Sequence, residues 1–133
     1  MELGPAGTLL PGQYLIVGAS SVVATVPAGQ LVIDLGAVTN YIKNGPDGVA
    51  LVDSVNHALL DALSYEGAIT MATIPGLTGP VSLVEGTALP TSVADSNTVQ
   101  GSLCRLPSGT STQDSAADWK FSHTPTPGAA NVP

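Results

Sequence analysis

The chain is a succession of short apolar runs cut by Gly-, Pro- and Asn-containing clusters, the spacing of a strand-rich fold. Residues 13–19 (QYLIVGA) are almost continuously apolar, which predicts a strand covered on both faces. Residues 20–29 close on Pro27, Ala28 and Gly29, a turn signal, and 30–35 (QLVIDL) is a second strand candidate. Residues 36–44 read as loop. The sharpest turn signal is NGPDG at 44–48, followed by 49–53 (VALVD), a turn at 54–57 and 58–67 (ALLDALSYEG), together a hairpin. Apolar residues at 55, 58, 59, 62 and 63 also fit a helical stripe, but Tyr65 and the turn-rich flanks favour a strand.

Beyond the hairpin, 68–79 reads as loop, 80–86 (PVSLVEG) as a brief strand and 88–101 as a polar excursion. Residues 102–109 (SLCRLPSG) alternate, with Leu103 and Arg105 on one face and Cys104 and Leu106 on the other. Residues 116–122 (AADWKFS) are expected to form a last short strand. With an extended lead-in at 1–12 that ends in a Pro-Gly turn, and an extended tail at 123–133, residues 1–133 read as one all-β domain. Short strands with regular turn signals suggest a sandwich or a barrel. There is no internal repeat of solenoid length.

Composition supports strands: Val and Thr are frequent, charged residues make up 10%, and Gly and Pro number 15 and 11. So much Gly and Pro could mean disorder, but an apolar fraction of 44% argues for a packed core. The single cysteine, Cys104, can form no intrachain disulfide. A net charge of −7 repels phosphate and argues against nucleic acid and anionic lipid as partners. The most apolar run, 14–26, is too short to cross a bilayer, so no membrane insertion is expected. It also lacks the basic flank of a signal peptide, so any export signal is expected upstream of this chain.

Four segments in order carry a resemblance: L-x-PG-x-YLIVG (10–18), NGPDGVALVD (44–53), LLDALSYEG (59–67) and SLCRLPSG-x5-DSAADW-x5-PTPGAAN (102–131). This pattern resembles the lamin-tail domain family, in its bacterial branch found on exported proteins and beside secreted nucleases. The resemblance implies an immunoglobulin-like β-sandwich and a secreted or cell-surface location. The family's opening strands, which read like INEV and EF-x-EL, and an LSGW-like turn do not occur in this chain. Missing strands leave unpaired edges, so either a strand is donated by another chain, a second copy or an upstream segment, or residues 1–12 and 20–43 re-close the sheet in their place. The implied function is a non-catalytic protein-interaction or assembly module acting through exposed strand edges, with a protein partner or a second copy as donor. The edges singled out are Tyr14, Leu15, Ile16 and Val17 in one strand, and Leu103 and Arg105 in another. Alternatives are a module that places a neighbouring secreted nuclease or hydrolase, or a calcium- or carbohydrate-binding sandwich.

Candidate chemistry is sparse. Arg105, the single arginine, reads as a structural charge whose stem covers apolar surface and whose head pairs an acid such as Asp118 or Asp61, with a ligand anchor as the sharper alternative. His57 and Asp61 would share a face on a helix, but on a strand they stand about 13 Å apart, with no third ligand near. Ser20 and Ser21 follow Gly18 but do not make G-x-S-x-G. Cys104 between leucine-rich neighbours reads as a small buried hydrophobe, and Trp119 as a core plug. There is no phosphate loop, CxxC or HExxH, and the acids are spread singly. No catalytic residue, cofactor or metal site is assigned, and the chain is expected not to be an enzyme. Asp95, Asp114 and Asp118, in oxygen-rich loops, are the weak calcium candidates.

Overall fold

A computed structural model describes residues 1–96 and 98–133. It is β-rich, 27% strand against 8% helix. The chain divides into two compact units, Met1–Ile42 with Pro125–Ala130, and Lys43–Thr124 with Asn131–Pro133.

Unit 1 is organised on one parallel ladder. Strand β1 (Leu15–Gly18) pairs with β2 (Leu31–Asp34) in the register Leu15 to Leu31 through Gly18 to Asp34. The crossover passes through a single helical turn, α1 (Ser20–Val23). Two glutamines clamp the entrance of the ladder: Gln30 Oε1 accepts from the Tyr14 N–H at 2.7 Å, and Gln13 Nε2 donates to the Gly29 carbonyl at 2.9 Å. The Pro11-Gly12 turn forms, with the Gln13 N–H donating to the Leu10 carbonyl at 3.0 Å. The expectation of a strand covered on both faces is corrected. Ile16 is buried, but Leu15 and Val17 are half-buried, because β2 is the only strand beside β1 among the described residues. The tail is not extended either: the Ala129 N–H closes a turn on the Thr126 carbonyl at 3.1 Å.

Unit 2 contains two antiparallel ladders. The hairpin read from the sequence pairs β3 (Asp47–Asp53) with β4 (Ala58–Tyr65), with a bulge between Leu51 and Val52. Its turn forms because Asp53 Oδ1 accepts the N–H groups of Val55 and Asn56 at 2.9 and 3.0 Å, while His57 supplies a positive φ of 54°. The helical stripe seen in the sequence arises because Ala62, Leu63, Ser64 and Tyr65 are all buried, so β4 is covered on both faces at its end. The second ladder pairs β5 (Ser102–Arg105) with β6 (Trp119–Ser122), Arg105 opposite Trp119.

Leu63, Tyr65 and Leu89 form the core, and Leu103, Trp119 and Val93 pack against it. The opposite face of the hairpin is closed by Leu83: a Cβ placed on Gly48 would come within 2.7 Å of Leu83 Cδ1. Each such buried apolar side chain contributes about 1.5–3 kcal/mol.

Two strand expectations in this unit are corrected. Residues 80–86 make no strand; Val81 forms one isolated bridge with Ala72. Pro80 lacks an N–H, and Ser82 Oγ takes the Val84 N–H at 3.0 Å, a local bond that competes with ladder pairing. Residues 116–122 begin not as strand but in a helical turn, α2 (Ser115–Asp118), because Asp114 caps it by accepting the Ala117 N–H at 3.0 Å.

Candidate functional site

The open edge of β1 is the feature that its hydrogen bonds single out. The carbonyls of Tyr14 and Gly18 accept from Leu31 and Leu35, at 3.0 and 2.9 Å. Backbone groups alternate sides along a parallel strand, so Leu15 and Val17 turn their N–H and C=O groups away from β2. Their neighbours are apolar and no charge stands on β1. The far edge of β2 differs, because it carries the exposed Asp34, whose carboxylate accepts from Ser20 Oγ at 2.8 Å and from the Gly36 N–H at 2.8 Å. A charge on an edge strand discourages pairing, and β1 has no such guard.

The second proposed edge is placed differently. Leu103 packs its side chain on the Leu63–Tyr65–Leu89 core. Arg105 donates through Nη1 and Nη2 to both oxygens of Asp61, each at 2.7 Å, and through Nη2 to Glu85 at 3.0 Å. Its guanidinium carbon lies 5.0 Å from the centroid of the Trp119 ring, in cation–π contact. The fork is thus occupied by protein carboxylates and joins β5 to β4 and to the loop at Glu85. It works as a structural clasp. The hydrogen bonds it donates to Asp61 hold Arg105 more firmly charged than usual, against the penalty of burial. For Glu85, burial first and the Asp61 charge second push the carboxyl up, and Arg105 pulls it partly back.

Of the two acids suggested as partners of Arg105, Asp61 makes the pair. Asp118 instead accepts the Thr112 N–H at 2.8 Å and the Thr112 hydroxyl at 2.7 Å, and the Thr112 hydroxyl bond leads the causes that lower its pKa. Asp114 caps α2 and takes the Thr87 N–H at 3.1 Å, and it too is held below the usual carboxylate range, chiefly by Thr87. Both carboxylates are engaged by protein donors, and Asp95 is exposed on a separate loop. Among the described residues no three His, Cys, Asp or Glu groups gather in a geometry that would hold a metal ion. His57 and Asp61 are not brought together as ligands, because His57 Nδ1 meets the Gly76 carbonyl at 2.6 Å while Asp61 meets Arg105. Ser20 is tied to Asp34, and Cys104 is buried with its thiol pKa pushed up by that burial.

Sequence reasoning missed Glu85 and Asn131. Glu85 reaches Arg105 from twenty residues away, and Asn131 donates from Nδ2 to the Arg105 carbonyl at 3.0 Å. Neither position has a local pattern that marks it; an unpaired acid and an amide in a loop are common on any surface.

No family model, curated protein or solved structure matches this chain.

Proposed function

We propose that this chain is a non-catalytic assembly module with an immunoglobulin-like, lamin-tail-like β-sandwich, working in a secreted or cell-surface protein. Its partner pairs with β1 by strand addition, and that partner is another protein or a second copy. The observation that carries the reading is the outward-facing backbone of Leu15 and Val17 in a lone parallel ladder without a guarding charge. Two-stranded ladders are marginal by themselves, and parallel ones normally lie inside larger sheets, so a third strand on β1 gains both hydrogen bonds and burial. Main-chain pairing of this kind supplies affinity without requiring charge complementarity.

Light scattering after size exclusion, over a concentration series, tests this. The chain is expected to run as a dimer or a defined polymer. Val17→Pro removes an outward N–H while leaving the bonds from Leu31 and Leu35 in place, and it should abolish assembly. A folded monomer at every concentration would contradict strand addition between copies, and assembly unchanged by Val17→Pro would contradict the β1 edge as its place.

A further inference from the structure

Unit 1 is built from two stretches of chain, 1–42 and 125–130, separated in sequence by most of unit 2. The second stretch is a preformed knob. Its Thr126–Ala129 turn has Pro127 in the second position and Gly128, at a φ of 75°, in the third, the pattern of a type II turn. Gly128 is buried, and a Cβ on it would fall 3.0 Å from Val26 Cγ1 and 3.3 Å from both Gln30 Cγ and Ile16 Cδ1. The knob therefore seats on Ile16, the buried apolar side chain of unit 1, in a tight space and at a positive φ that favours glycine. The residues flanking it are tied within unit 2. The Thr124 N–H donates to Ser122 Oγ at 3.1 Å, and the Asn131 N–H to Ser108 Oγ at 3.0 Å. The first stretch runs into unit 2 through residues 39–44, all of them exposed.

From this construction we infer that the 125–130 knob is exchangeable, so that two copies of the chain associate by each seating its knob on Ile16 of the other. The contacts made between copies are those already made within one copy, so the balance is set by the linker at 39–44 and not by new chemistry. Pro125 and Pro127 fix two of the knob's φ angles in advance, which lowers the entropy cost of docking between copies. The interaction uses the side-chain face of β1 and not its backbone edge, so it goes beyond strand addition and stands apart from it.

The test is sedimentation equilibrium on the chain shortened by deleting Tyr41 and Ile42, which hinders closure within one copy. The shortened chain should dimerise at least tenfold more tightly than the full-length chain. Adding Gly128→Val should return it to the full-length value, while the β1 edge stays intact in both variants. An equal mixture of shortened chains carrying Ile16→Asp and Gly128→Val should form mixed dimers, since one retains a knob and the other a seat. The near-UV circular dichroism of Trp119 reports that unit 2 is folded throughout. A shortened chain that dimerises no better than the full-length one overturns exchange. So does a tenfold gain that survives Gly128→Val, which would assign it to contacts other than the knob, and so does a mixture whose mixed dimer is no tighter than the full-length association.

Discussion

The two units handle the same problem, short strands with exposed edges, in opposite ways. In unit 2 each ladder carries a device that discourages further pairing. A bulge interrupts β3, Lys120 stands on β6 with its Nζ donating to the carbonyls of Ala116 and Ala117, and Asn131 occupies the Arg105 carbonyl of β5. Its core holds Leu63, Tyr65, Leu83 and Leu89. Unit 1 buries Ile16 and its β1 edge carries no charge, while both units leave apolar side chains exposed, among them Leu10, Tyr41 and Ile42 in the first and Val49, Val55 and Leu60 in the second. Unit 2 interrupts or caps its ladders from within the chain, whereas unit 1 leaves the main-chain groups of Leu15 and Val17 facing outward. Open edges are costly to keep in a solitary protein, and this contrast is what supports the proposed strand addition at β1.

The largest expected effect separates the clasp from an ordinary surface ion pair. Arg105→Ala leaves Glu85, which is largely buried, and half-exposed Asp61 without their cation, and should cost about 3 kcal/mol. Urea unfolding followed by Trp119 fluorescence measures it. A loss within about 0.5 kcal/mol, the range of a surface pair, would show that the clasp contributes little.

A paired truncation then compares the two cores. Leu63→Ala should cost about 3–4 kcal/mol and Ile16→Ala about 2 kcal/mol, because Leu63 belongs to a cluster of buried side chains and Ile16 does not. Equal costs, measured by the same unfolding experiment, would remove the contrast between the units.

The smallest effect is a pH dependence in unit 2. Glu85 has a raised folded pKa, so its contribution to stability is full at acid pH and is lost as pH rises through that raised value. Asp114 and Asp118 have lowered folded pKa values, so their contributions are full above the usual carboxylate range and are lost as pH falls through the lowered values. Stability should therefore peak in mildly acid solution. Glu85→Gln should flatten the decline on the neutral side by less than about 1 kcal/mol while leaving the acid limb unchanged. A wild-type profile that rises steadily to neutral pH would contradict the assignment for Glu85.

How much of this was legible in the sequence follows from the range of the forces involved. The β3–β4 hairpin could be read because its determinants are local: NGPDG opens it, and Asp53 and His57 turn it. The pairing of Arg105 with Asp61 could be anticipated from charge alone, since a lone arginine among apolar neighbours needs an acid. What stayed hidden depends on chain meeting chain over long separations. Nothing near Glu85 announces that it completes the clasp. Residues 80–86 have the composition of a strand, but Ser82 and Pro80 turn the backbone to other partners. The start of 116–122 is decided by one cap, Asp114, acting with the helix preference of Ala116 and Ala117. The tail looked extended because Pro and Thr dominate it, whereas the space left for Gly128 beside Ile16 cannot be seen without the fold.

Amide hydrogen exchange at Leu15 and Val17, compared between dilute and concentrated protein, tests strand addition most directly. Both amides face away from β2. They should exchange rapidly in the dilute chain and become protected at least tenfold on assembly, while the β3–β4 amides stay protected at both concentrations. Protection of Leu15 and Val17 already present in the dilute monomer, or assembly that leaves them fast, would contradict the β1 edge as the place where a partner strand joins.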